Sequence, residues 1–186
     1  MEIKKIVIII ILILLIIGTL YLIIKEDPDN IKFKNEYEKY NNLTYNENNK
    51  KESFYNVKIE KENPIIYLTN ETVIEEMKKE NKLIFIGTAE NNDTRKSMET
   101  LLQVAKDNGI EKIYYYDIKD EINNKDSKIY QELTKKLNKK EISIPLLMLI
   151  KDKKVENYNE GLKNQKELST KYEEIMIDYL MCTSSC

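Results

Sequence analysis

The sequence predicts an α/β domain, a mixed sheet with helices on its flanks, carried behind one N-terminal transmembrane helix. Three observations lead there. Residues 6–24 run IVIIIILILLIIGTLYLII without a charge. From Asn63 onward, short apolar runs alternate with segments whose apolar residues recur at helical spacing. Near the end, two strand-like runs flank Asp152-Lys153-Lys154, which predicts a hairpin.

A helix over 6–24 is roughly 28 Å long at about 1.5 Å per residue, close to the thickness of a bilayer's hydrocarbon core. A cleaved signal peptide would have a shorter apolar stretch ending in a small-residue site. This one ends Tyr21-Leu22-Ile23-Ile24-Lys25, so an uncleaved single span is expected. Lys4 and Lys5 lie in the short tip, residues 1–5, whereas Lys25 is followed by Glu26, Asp27 and Asp29. Positive charge favours the cytoplasmic side, so the tip is expected inside and the bulk of the chain outside the cell membrane. That compartment permits disulfides.

Residues 25–61 read as a polar stalk, partly helical. Pro28 stops the apolar helix. Ile31, Phe33, Tyr37 and Tyr40 have partial helical spacing, which fits a short amphipathic helix packed on the domain or lying at the membrane surface, and 41–53 reads as solvated chain. Tyr55–Ile59 alternates polar and apolar residues, as a half-buried strand does.

The domain proper is expected over 63–181. Strands are predicted at 63–68, 82–87, 113–116, 146–150 and 155–158. Helices are predicted at 71–80 (Val73, Ile74 and Met77 inward), 93–108 (Met98, Leu101, Leu102 and Ala105 inward), 129–137 and 164–181. In the last helix Leu168, Tyr172, Ile175, Met176 and Tyr179 form the buried side. Gly109 is placed to end the second helix. The order β-α-β-α-β-α-β-β-α calls for helical crossovers between parallel strands and a closing antiparallel hairpin.

Composition removes several functions. Lys plus Arg number 30 against 32 acidic residues, a net charge of −2, so no nucleic-acid partner is expected. There is no histidine, which excludes histidine-based proteases and histidine-ligated metals. Two cysteines alone do not complete a structural zinc site. No metal or cofactor is predicted. The 13 tyrosines read as packing.

The stretch from Lys82, KLIFIGTAENNDTRKSMETLLQVA, and the later EISIPLLMLIKDKKV together resemble the thioredoxin superfamily. They are most similar to the membrane-anchored thioredoxin-like and bacteriocin-transport accessory proteins of low-GC Gram-positive bacteria. The resemblance covers about 63–181. It implies a thioredoxin-like sheet, a Cys-x-x-Cys motif at the start of the helix, and a cis proline beside it. Gly87 and Arg95-Lys96 set the register, and the two cysteine positions are Asn91 and Thr94. Neither yields a thiolate, so the usual dithiol is lost. Asn91, Asn92, Asp93 and Thr94 are good helix-capping residues; the free N–H groups there would also suit an anion or a partner peptide. A threonine nucleophile would need a base, and none is evident. Pro145 matches the cis proline, and the resemblance implies that the backbone at Ile144–Pro145 pairs with an extended peptide.

The only cysteines, Cys182 and Cys186, lie in a tail at 182–186. A disulfide clip, a redox-active pair and an intermolecular link are all compatible with that spacing. If the last helix runs away from the motif, the tail lies roughly 27 Å from Asn91 at about 1.5 Å per residue. The expected function is non-catalytic binding or assembly involving extended peptides, with Ile144, Pro145, Asn91 and Asn92 at the site. The first alternative is a thiol–disulfide oxidoreductase acting on a thiol protein through Cys182 and Cys186. The second is an accessory role in peptide (bacteriocin) export or immunity.

Overall fold

The computed structural model describes residues 28–184 and the single residue Ile13. The predicted span over 6–24 therefore lies outside the described residues apart from Ile13. Among the described residues, no helix is long and apolar enough to cross a membrane.

The elements in chain order are α1 (Asp29–Glu38), β1 (Thr44–Glu47), β2 (Lys50–Ser53), β3 (Ile65–Tyr67), α2 (Asn70–Glu76), β4 (Lys82–Gly87), α3 (Asn92–Asp107), β5 (Ile113–Asp117), α4 (Lys119–Ile122), α5 (Lys128–Leu137), β6 (Leu146–Lys151), β7 (Lys154–Glu160) and α6 (Gln165–Ser184). Five strands form one sheet in the order β3-β5-β4-β6-β7. β3, β5 and β4 are parallel, and β6 and β7 are antiparallel additions. This is the mixed sheet, parallel strands with a closing antiparallel hairpin, that the sequence predicts.

Side-chain alternation along β4 divides the interior in two. Leu83 and Phe85 face a layer holding Met98 and Leu101 of α3 with Tyr172 and Ile175 of α6. Ile84 and Ile86 face the other layer, with Val73 of α2 and Ile129 and Leu133 of α5. A strand buried on both faces reads as a continuous apolar run, which is why Leu83-Ile84-Phe85-Ile86 carries no polar residue.

Parts of the segment read as a stalk belong to this core, α1 by the packing that its spacing allows. Phe33 and Tyr37 of α1 are fully buried in the first layer, against Tyr115 of β5 at ring-centroid distances of 4.9 and 6.0 Å. Asp29 accepts a 3.0 Å hydrogen bond from the Tyr67 N–H, which ties α1 to the β3 edge. Residues 44–53 are also built. β1 and β2 pair as a hairpin with Thr44 opposite Ser53. Its two-residue turn, Asn48-Asn49, has φ of 49° and 62° at the two positions; asparagine tolerates that left-handed backbone, and hairpin turns of the primed type require it. Tyr55–Ile59 keeps part of its predicted alternation, with Val57 and Ile59 buried but Tyr55 exposed, and it joins no sheet.

Two other boundaries differ. The first predicted helix of the domain stops at Glu76, and Asn81 turns the chain at φ 52° before β4. The last helix continues past Met181, so Cys182 sits on a helical turn and not in a loop.

Gly87 closes β4 for a steric reason. A Cβ placed on it would lie 2.4 Å from the Thr94 methyl, so the start of α3 rests directly on the strand end. Gly87→Ala is expected to cost about 1–3 kcal/mol through this overlap. Adding Thr94→Ser, which removes the methyl, should recover most of the loss in urea unfolding followed by circular dichroism. A double variant as unstable as Gly87→Ala would show that the clash lies elsewhere.

Candidate functional site

The sheet register gathers the site at one end of the molecule. Gly87 pairs with Asp117 on one side. On the other, Ile86 pairs with Leu146, the residue after Pro145. The turn from Thr88 to Asn91 and the segment Ser143–Pro145 thus share this end of the sheet. The Ile144–Pro145 peptide bond is cis, as the resemblance implies.

At the positions that the resemblance matches to the cysteines stands a polar cap. Asn91, in extended conformation, is the N-cap of α3. Its Oδ1 accepts from the Thr94 N–H at 2.7 Å and from the Thr94 hydroxyl at 3.0 Å. Thr94 is fully buried. The two side chains therefore touch, as a Cys-x-x-Cys pair would, but both are satisfied by each other and by the backbone. Neither is activated for attack.

The next residue is tied to the N-terminal segment. The Asn92 Oδ1 accepts from the Tyr55 N–H at 2.7 Å. Its amide nitrogen donates to the Ser53 carbonyl at 3.0 Å and to the Tyr45 hydroxyl at 3.2 Å. Of the four residues expected to meet a peptide, Asn91 and Asn92 are thus already engaged. The Pro145 carbonyl accepts from the Gly161 N–H at 2.8 Å. By contrast, the backbone of Ile144 has no hydrogen-bond partner among the described residues.

Arg95 is the residue whose role the sequence conceals. It is fully buried. Its Nε donates to the Tyr55 carbonyl at 2.6 Å, and Nη1 to the carbonyls of Tyr37 and Ala89 at 2.7 and 3.1 Å. Nη2 donates to the Asn41 side chain at 2.8 Å. Tyr40 and Phe54 lie 5.9 and 5.7 Å from the guanidinium. Burial lowers its pKa, but an arginine keeps its charge. The available signal was its being the one arginine among lysines; a planar donor fork serves several carbonyls where an ammonium does not.

Beside the turn lies a carboxyl pair that the sequence reading also missed. Burial, followed by the neighbouring Glu36, raises Asp117 to about 6, against a hydrogen bond from the Lys119 N–H that holds it down. Glu36 also accepts from the Tyr67 hydroxyl. Tyr40 donates to Glu90 at 2.6 Å, and burial and that carboxylate push its pKa up to about 12. Lys119 pairs with the same Glu90.

Cys182 is remote from all of this. Its carbonyl accepts from the Asn81 side chain at 3.5 Å, beside the start of β4. Six residues of strand, roughly 20 Å at about 3.3 Å each, separate that end from Gly87. Cys186 lies outside the described residues. Among the described residues there is no cluster of metal-ligating side chains.

No protein-family model matches the sequence, and no curated protein matches it. Among solved structures, the chain is similar to one from a study of thiol resolution in yeast mitochondrial 1-Cys peroxiredoxin through glutathione and thioredoxin systems. That likeness has 15% identity and a TM-score of 0.42, over 59% of this chain and 94% of the other. It is also similar to desulfothioredoxin from Desulfovibrio vulgaris Hildenborough in its reduced form, at 20% identity and a TM-score of 0.43, over 61% and 99%. A third is Chlamydomonas reinhardtii thioredoxin f2, at 14% identity and 0.40, over 57% and 92%.

The Asp117 carboxyl yields a pH test. Its pKa is about 3.9 when unfolded and about 6 when folded. The folded state therefore binds that proton more tightly. The contribution to stability is complete below about pH 4, is lost as the pH rises to about 6, and is absent above. Replacing Asp117 by Asn should make the midpoint of thermal unfolding rise relative to wild type across that window, with the difference constant above it. A difference that does not change with pH would mean that Asp117 is not the titrating group.

Proposed function

We propose that this chain is a non-catalytic thioredoxin-like binding module, anchored by the 6–24 span with its domain outside the cell, that takes an extended peptide along Ser143–Pro145. The observation that carries this reading is the pairing of two facts at one sheet end. The dithiol positions hold a self-satisfied Asn91–Thr94 cap, and the Ile144 backbone just before the cis proline has no partner among the described residues. A buried N–H or C=O is almost always paired, so a free pair beside a cis proline suits strand-like addition of another chain. The peptide would gain main-chain hydrogen bonds there with no covalent step.

The oxidoreductase alternative would have to work through Cys182 and Cys186 alone. The position of Cys182 beside Asn81 places it at the far end of β4 from the turn, so it does not substitute for the lost motif within one molecule.

Binding of a fluorescent library of unstructured decapeptides to the full chain in mild detergent separates the readings. Pro145→Ala should weaken binding at least tenfold, while Cys182→Ser with Cys186→Ser leaves it unchanged. Loss of binding in the double serine variant would favour the oxidoreductase.

The cap itself predicts a gain of chemistry. Asn91 and Thr94 are one helical turn apart with touching side chains, and Asn91 occupies the N-cap, where the helix dipole lowers a thiol's pKa. Asn91→Cys with Thr94→Cys, in a background lacking the native cysteines, should reduce the small aryl disulfide dithiobis(nitrobenzoate) to free thionitrobenzoate and itself become oxidised to an intramolecular disulfide. A folded variant whose two thiols never pair would contradict this placement of the motif.

A further inference from the structure

Residues 54–59 are held as a bound peptide is held, by side chains that bracket alternate residues of an extended backbone. At Tyr55, the N–H donates to Asn92 and the carbonyl accepts from Arg95, at 2.7 and 2.6 Å. At Val57, a single side chain makes both bonds: the N–H donates to the Asn41 Oδ1 at 2.9 Å, and the Asn41 amide donates to the carbonyl at 2.7 Å. At Ile59, the N–H donates to Glu38 at 2.9 Å and the carbonyl accepts from Lys34 at 2.8 Å. The bracketed Val57 and Ile59 also bury their side chains in the core, 4% and 2% exposed, whereas Asn56 and Lys58 between the brackets face solvent. A two-residue repeat of polar brackets and apolar seats reads an extended chain, as a sheet edge does.

The walls of this clamp are secured without its occupant. Arg95 donates to the Tyr37 carbonyl and to Asn41 independently of its bond to Tyr55. Phe33 and Tyr37 anchor α1 in the core. At its ends the occupant is held by further bonds, from the Phe54 N–H to the Leu43 carbonyl at 3.1 Å and from the Asn30 side chain to the Lys61 carbonyl at 2.8 Å. It is joined to the clamp on one side through the exposed β1–β2 hairpin, and on the other through residues 60–64, which form no helix or strand.

We propose that α1 with the turn after it and the start of α3 form a clamp for an extended peptide, filled in cis by the chain's own residues 54–59, and that a partner segment with apolar residues two positions apart displaces them. This site is separate from the Ile144 edge. The tether gives the internal segment a high effective concentration, so a free peptide competes poorly until the segment is weakened.

The probe is a fluorescent peptide with the sequence of residues 53–60, titrated into the full chain in mild detergent. A chain carrying Val57→Asp with Ile59→Asp should bind it at least tenfold more tightly than wild type does. Adding Asn92→Ala to that chain should reverse the gain, as should placing aspartate at both apolar positions of the peptide. Pro145→Ala should leave this capture unchanged; loss with Pro145→Ala but not with Asn92→Ala would assign the peptide to the Ile144 edge and overturn the clamp. Equal binding by wild type and the folded double-aspartate chain would also overturn it. Should that chain fail to fold, hydrogen exchange on wild type decides. The Val57 and Ile59 amides should exchange at least a hundredfold faster than those of Ile84 and Phe85, and equal rates would mark residues 54–59 as a fixed part of the domain.

Discussion

The buried guanidinium of Arg95 is the interaction on which the arrangement around the site depends. A lone charge in the interior is costly unless its hydrogen-bonding capacity is met. Among the described residues no carboxylate pairs with Arg95; neutral oxygens of Tyr37, Ala89, Tyr55 and Asn41 surround it instead. These acceptors come from α1, the turn after it, residues 54–59 and the loop leading into α3. One side chain therefore determines how three separate segments of the chain meet. Lysine in its place would offer a single ammonium to oxygens that lie around a planar fork.

That constraint also explains why the N-terminal segment is ordered in a region of such polar sequence. Residues 41–56 contribute little apolar area, and a segment of this composition would ordinarily remain solvated. The segment is instead held by side chains acting as backbone partners. Asn41 completes Val57 much as a neighbouring strand would, while Asn92 gathers Tyr55, Ser53 and Tyr45. The fold spends asparagine, abundant in this chain, where other proteins use a sheet ladder.

This division sets what the sequence made legible. The five strands and the helices between them follow from periodicity, because Leu83–Ile86 and Leu146–Ile150 are buried on both faces and the helices present one apolar side. The cis proline was reached through resemblance, since an Ile-Pro bond has no composition signal of its own. The hairpin was not legible: Asn48-Asn49 is a proper turn signal, but asparagine recurs throughout 41–56 and the strands beside it are too short and polar to show a pattern. The alternation at Tyr55–Ile59 was visible and its burial correct at Val57 and Ile59 though not at the exposed Tyr55, yet a period of two says only that the chain is extended, not what pairs with it. Arg95 and Asp117 escaped for another reason. Their roles rest on partners far along the chain, Tyr37 and Glu36, that only the folded topology brings near.

The Asn91–Thr94 cap decides what the start of α3 can do. In a dithiol motif the N-cap and third positions are held apart from other duties so that sulfur chemistry proceeds there. Here the same two positions close on each other, and Gly87 accepts the Thr94 methyl at a distance that leaves no slack. With that cap locked, the neighbouring Asn92 and Arg95 point their donors and acceptors away from the helix and into an extended chain. The start of α3 is thus occupied twice over, by the Asn91–Thr94 cap and by the bonds of Asn92 and Arg95 to residues 53–55.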